Sequence, residues 1–199
     1  MILEWKINLI NLSHKSLKKF TVYLGLDDIV YDKLLGCLYK ECIDNCDIRM
    51  LEYHVNFSIA NISLIKLNYC RKRMFDKDNT VKLLFDIDSS CVGVESVLIP
   101  NRKGHYTLCL SSQSGCILHC SFCSTGNLGF HKNLVHSEIV SQVLVAKNIL
   151  NRVFKSKVIT NIVFMGMGEP LFNLNNLIVS IETLSHHACL GISKNKITV

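Results

Sequence analysis

Four of the ten cysteines in this chain of 199 residues, Cys109, Cys116, Cys120 and Cys123, fall within fifteen residues, and any fold must account for that crowding. The start, MILEWKINLINL, carries Glu4 and Lys6 where a secretory signal needs an unbroken apolar stretch, and no uncharged apolar run is long enough for a membrane span. The chain therefore reads as cytoplasmic, with no membrane partner. Thiols there stay reduced, so the crowd is not a disulfide framework; its members are metal ligands, reactive groups or core residues. Cys37, Cys42, Cys46, Cys70, Cys91 and Cys189 show no ligand spacing and read as small buried hydrophobes.

Apolar residues make up 49% of the chain and charged residues 19%, a globular composition that excludes disorder and collagen-like repeats. Residues 1–75 read as helical. Ser13 can cap a segment carrying Leu17, Phe20, Val22 and Leu24, with Gly25 as its stop; Asp27 and Asp28 open a second that runs through Leu38. A weaker pattern from Asn56 to Met74 ends in Arg71-Lys72-Arg73. The period then changes to two, with Val81, Leu83, Phe85 and Ile87 on one face of a strand. Gly93–Pro100 and His105–Ser111 are further β-rich runs around the turn Asn101–Gly104. From His136 the order is helix (137–151), strand (159–165), Gly-rich turn (166–170), helix (174–188) and strand (196–199), which predicts parallel βα units. The expected organisation is a helical region over 1–75, a β-rich connection over 76–104 and an α/β unit over 105–199.

The formal charge is +6, and residues 105–199 carry seven basic side chains against three acidic. A field of that sign favours a polyanion such as RNA; a solvated surface is the ordinary alternative.

The run Cys116-Ile117-Leu118-His119-Cys120-Ser121-Phe122-Cys123 is a C-x3-C-x2-C triplet placed directly after a strand. Thiolates ligate both iron–sulfur clusters and structural zinc. Three of them suit a four-iron cluster that leaves one iron open; a zinc site would recruit His119, His131 or His136 as a fourth ligand. About 45 residues on, Asn161-Ile162-Val163-Phe164-Met165-Gly166-Met167-Gly168-Glu169-Pro170 reads as a strand ending in two glycines that let the backbone approach a ligand, followed by a carboxylate able to accept from an amine. By itself that is also a Gly-rich turn with a solvated glutamate.

The triplet with Phe122 before its last cysteine resembles the signature of radical S-adenosylmethionine (SAM) enzymes. The wider string resembles the RlmN/Cfr family of radical SAM RNA methyltransferases: Leu108 to Cys116, Cys120 to Gly126, Gly129-Phe130, Asn133-Leu134 and the GMGEP run. Lys6-Ile7-Asn8-Leu9 and the helical start resemble the family's accessory domain more loosely. The resemblance implies a small helical N-terminal domain followed by the first part of a (βα)6 partial barrel, truncated at Val199. It implies a 4Fe-4S cluster on Cys116, Cys120 and Cys123, SAM held by Gly168 and Glu169, and reductive cleavage of SAM to a radical. Cys109 then matches the cysteine that helps resolve a protein–RNA adduct, where a thiol acts as base or nucleophile if a nearby cationic patch lowers its pKa, and Glu95 a proton acceptor. The implied substrate is carbon 2 of an adenine in 23S rRNA and tRNA, methylated with two SAM molecules and an electron donor. The family's methyl-carrying C-terminal cysteine has no match, so the chain alone is expected not to methylate RNA; a C-terminal half on a separate chain would complete it. The alternatives are a non-methylating cluster- or RNA-binding fragment and a small zinc protein.

Overall fold

The computed structural model describes residues 7–40, 63–64, 69–87, 93–155 and 157–199. Lys6, Cys42, Cys46, Cys91 and the stretch 56–62 of the weak helical pattern lie outside the described residues.

Local signals at the N-terminal end act as expected. The Ser13 Oγ accepts from the Ser16 N–H at 3.1 Å and starts α1 (His14–Tyr23). Gly25, at φ +69°, ends it: Gly25 N–H bonds the Val22 carbonyl and Leu26 N–H the Thr21 carbonyl, the paired bonds of a left-handed glycine stop. Asp27 Oδ1 accepts from Val30 N–H at 2.9 Å and starts α2 (Asp28–Leu35). The helix expected to reach Leu38 changes at Gly36 into a wider π-type turn, Gly36–Lys40. Ser13→Ala removes a partner from an orphan helix N–H and is expected to lower stability by about 1 kcal/mol, read as a fall in the urea midpoint, with Ser13→Thr restoring most of it.

A six-stranded sheet organises the rest, in the order β10-β9-β6-β5-β4-β3. Its members are β3 (Tyr69–Phe75), β4 (Val81–Asp86), β5 (Val94–Pro100), β6 (Tyr106–Cys109), β9 (Ile159–Val163) and β10 (Ile197–Thr198). β3 to β6 pair antiparallel, whereas β6, β9 and β10 run parallel, as the strand–helix alternation predicts. Two short strands, β1 (Ile7–Asn8) and β2 (Ser63–Leu64), pair separately.

β3 corrects the helical expectation for its stretch. All seven of its residues fall in the segment expected to be helical, yet they pair with β4 through a turn closed by Asp76 N–H on the Thr80 carbonyl. The reason is its place at the sheet edge. Arg71 to Phe75 are all exposed, so burial imposes no period of two, and backbone pairing with β4 decides the conformation.

One face of the sheet is covered. Val81, Leu83, Phe85, Val94, Leu98, Leu108 and Ile162 are fully buried against α4 (His136–Val153) and α5 (Leu174–Ser185). At about 1.5–3 kcal/mol for each large side chain removed from water, this layer dominates the stability of the unit. α4 is buried on its other side too, where Val140 and Leu144 pack against Leu9, Leu17, Leu34 and Leu38. The helical region therefore sits on the outside of α4. The opposite face of the sheet, with Lys82, Glu95, Val97, Thr107, Cys109 and Val163, is only half-buried. Among the described residues no helix is long and apolar enough to cross a membrane.

Candidate metal and cofactor site

Parallel pairing of β6 with β9 puts Cys109 opposite Val163, so both strands end on the same edge of the sheet. The two segments that follow then lie against each other. Leu110 N–H bonds the Val163 carbonyl at 2.8 Å, Gly166 N–H the Leu110 carbonyl at 2.9 Å, and Ser112 and Gln113 N–H share the Met167 carbonyl. Met167 N–H donates to Ser111 Oγ at 2.8 Å. A Cβ on Gly166 would stand 2.6 Å from Ser111 Oγ, and one on Gly168, at φ +92°, 2.4 Å from Gln113 Cβ. The space at these glycines is thus taken by the segment leading to the first thiol. They serve the close approach of backbone to backbone at this edge.

The thiols sit in a hairpin loop that the sequence reading did not contain. β7 (Gln113–Gly115) pairs antiparallel with β8 (Phe130–Asn133), and Cys116 N–H closes on the Gly129 carbonyl at 3.1 Å. Cys116, Cys120, Cys123 and the short helix α3 (Ser124–Asn127) lie between these strands. Cys116 is buried and its Sγ accepts from Leu118 N–H at 3.4 Å; Cys120 and Cys123 are half-buried. Backbone N–H groups of Gly126 and Thr125 hold the Cys123 thiol below its usual range. All three are free thiols. Among the described residues no three His, Cys, Asp or Glu side chains are gathered closely enough to hold a metal ion. The donor set nevertheless suits a thiophilic centre: three unpaired thiols on one short loop, one of them biased toward thiolate.

Glu169 lies on the facing turn. Its N–H is accepted by Gln113 Oε1 at 3.0 Å and its own Oε1 accepts from Leu171 N–H at 3.2 Å. Glu95 and Cys109 lie on the half-buried face at the same edge, since Cys109 faces Val97 across β5 and β6. Lys82 Nζ stands 2.7 Å from Glu95 Oε1, Glu95 N–H points to Met167 Sδ at 3.4 Å, and Ser111 Oγ donates to the Glu95 carbonyl. Glu95, Cys109, the thiol loop and the Gly168-Glu169 turn are therefore brought to one edge. Burial pushes the Cys109 thiol above its ordinary value, partly offset by the Met165 N–H.

Of the candidate zinc histidines, His119 and His131 are exposed, whereas His136 is buried, with ring nitrogens 3.3 Å from Ser180 Oγ and 3.5 Å from Thr183 Oγ1. That makes His136 a packing residue of α4 and α5. Cys37 and Cys189 are buried as expected, the Cys189 thiol being pushed up to about 12 by burial, while Cys70 is only half-buried.

Sequence reading missed the buried amides that hold the edge together. Gln142 on α4 accepts from Ser111 N–H and donates to the Ser111 carbonyl, both at 3.1 Å, and also accepts from Ser96 Oγ. Asn173 Nδ2 donates to the carbonyls of Ser112 and Leu134 at 2.8 and 2.7 Å. Single polar residues give no periodic signal, so only their burial reveals them.

No family model matches the chain. It is 40% identical over 195 residues to "Dual-specificity RNA methyltransferase RlmN" of Buchnera aphidicola subsp. Schizaphis graminum, covering 98% of this chain and 53% of that protein. The same-named protein of Wigglesworthia glossinidia brevipalpis is 36% identical over 200 residues, covering 98% of this chain and 51% of its own length. That of Oleidesulfovibrio alaskensis is 47% identical over 123 residues, covering 62% and 34%. A crystal structure of a radical SAM methyltransferase from Sphaerobacter thermophilus matches with a TM-score of 0.84 at 25% identity, over 97% of this chain and 56% of that one. The chain spans about half the length of the curated relatives it matches.

Proposed function

The chain belongs to the RlmN-type radical SAM methyltransferase family along 98% of its length, and from that premise we propose that it forms the cluster- and SAM-binding part of an enzyme methylating carbon 2 of an adenine in 23S rRNA and tRNA. The observation that supports this best is the stitching of the thiol loop to the Gly168-Glu169 turn at the shared end of β6 and β9. A ligand lying on that edge meets both.

In this reading Cys116, Cys120 and Cys123 hold a 4Fe-4S cluster, and Gly168 and Glu169 receive the amino group of SAM. When bound, the two groups supply reductive radical chemistry and the methyl group. The remaining work falls to side chains of the open face. Cys109 keeps its proton at neutral pH because burial raises its thiol, which suits it to deliver a proton when a covalent adduct is resolved. Lys82 fixes the Glu95 carboxylate from 2.7 Å at the same edge, where it can accept one. RNA and an electron donor are the partners, and the cytoplasm is the compartment.

Anaerobic reconstitution with iron and sulfide tests the reading. The chain is expected to take up iron with the broad visible absorption of an iron–sulfur chromophore, and Cys123→Ala to lose it. Stoichiometric zinc uptake without that absorption would favour the small zinc protein instead.

A further inference from the structure

The loop that carries the thiols and the turn that carries Glu169 meet through one side chain. Gln113 has no exposed surface. Its Oε1 accepts from Glu169 N–H at 3.0 Å, and its Nε2 donates to Asn133 Oδ1 at 2.8 Å. Its Cβ and Cγ fill the space where Gly168 lacks a side chain. Asn133, the strand partner of Gln113, continues the chain of bonds by donating through Nδ2 to the Phe172 carbonyl at 3.3 Å. One carboxamide thus ties the strand entering Cys116 to the peptide of Glu169 and, through Asn133, to the turn beyond it.

A buried amide is costly unless both of its ends are bonded, and here both are, one to each side of the edge. Space-filling alone would be met by an apolar side chain of the same length. Resting on the reading of Glu169 as the SAM contact, we propose that Gln113 is a positioning residue, which fixes the Glu169 peptide relative to the thiol loop so that one SAM molecule is held by both at once. A group held by its neighbours' hydrogen bonds keeps the geometry that binding requires, and a small displacement there weakens the ligand without disturbing the fold.

The test compares the full chain with Gln113→Met, close in length but unable to make either bond, after anaerobic reconstitution. Iron content, SAM affinity by equilibrium dialysis, and hydrogen–deuterium exchange at the Glu169 amide without SAM are measured. Gln113→Met is expected to keep its iron, to raise the SAM Kd roughly tenfold, the size of one well-placed hydrogen bond, and to speed exchange at Glu169 but not in α4. Unchanged SAM affinity with full iron content overturns the proposal. So does a parallel loss of iron and SAM, which marks a residue needed only for folding the loop. A wild-type chain that takes up iron but binds no SAM sinks the reading of Glu169 itself, and the proposal with it. Should Gln113→Met not fold, Asn133→Ala probes the same link from its outer end, with a roughly threefold rise in Kd expected and no change overturning it.

Discussion

Gly115→Ala is expected to destabilise the chain by about 3 kcal/mol or more, whereas Gly129→Ala, in the same hairpin, is expected to cost about 1 kcal/mol. Both glycines are left-handed, at φ +73° and +72°, so both substitutions carry the strain of a side chain in that region. They differ in what the new Cβ meets. At Gly129 nothing lies within 4 Å; at Gly115 the Gly129 carbonyl oxygen would be 1.7 Å away and a His131 ring carbon 3.3 Å away. That oxygen accepts the Cys116 N–H. Backbone cannot move aside as a flexible side chain can, so the hairpin must open at its register shift between Ser114 and Gly115, directly before the first thiol. Urea midpoints of the two variants measure the difference. Faster alkylation of Cys116 in Gly115→Ala is expected beside the stability loss, and equal losses in the two variants would show that the contact is relieved without opening the hairpin.

The same hairpin marks where sequence reading stopped. Elements that bury one apolar face could be read directly: β4 alternates buried and half-buried along its length, and α4 was expected over 137–151 and runs from His136 to Val153. β7 could not, because Gln113, Ser114 and Gly115 are all buried and none is hydrophobic. Its burial rests on hydrogen bonds to a turn more than fifty residues away, which no local window contains. β3 failed for the opposite reason, since an exposed edge strand has no buried face to leave a pattern. The candidate site divides in the same way. The cysteine triplet stands out by residue type and spacing, and Gly168, Glu169, Glu95 and Cys109 only through the resemblance. Gln113, Gln142 and Asn173, which hold those parts in place, carry no signal until the edge is assembled.

Stability is expected to fall by about 2 kcal/mol between pH 6.5 and pH 5, well before the carboxylates titrate. His136, at the first turn of α4, is 5% exposed, and its ring meets the neutral hydroxyls of Ser180 and Thr183. Burial, with a smaller repulsion from His14, lowers its pKa from 6.5 to about 4. Below pH 6.5 the unfolded chain therefore takes up a proton that the folded chain refuses until about pH 4. Stability is complete above the unfolded value and is lost downward through that window, by roughly 1.4 kcal/mol for each pH unit once the unfolded imidazole is protonated. His14 and His186, stacked at 4.5 Å, are lowered too and act with the same sign, but more weakly because both are partly exposed. Glu182 opposes neither effect in this range, because the Lys15 hydrogen bond lowers its carboxyl, and its contribution is lost only below its ordinary 4.5. Urea midpoints at pH 7.5, 6.5 and 5 for the wild type and for His136→Gln, which can still bond Ser180 but does not titrate, isolate the group. The variant should lose less than half as much stability over the same interval, and identical slopes would assign the acid sensitivity elsewhere. Because α4 packs against both the sheet and the helical region, protonation of His136 loosens an element that the two share.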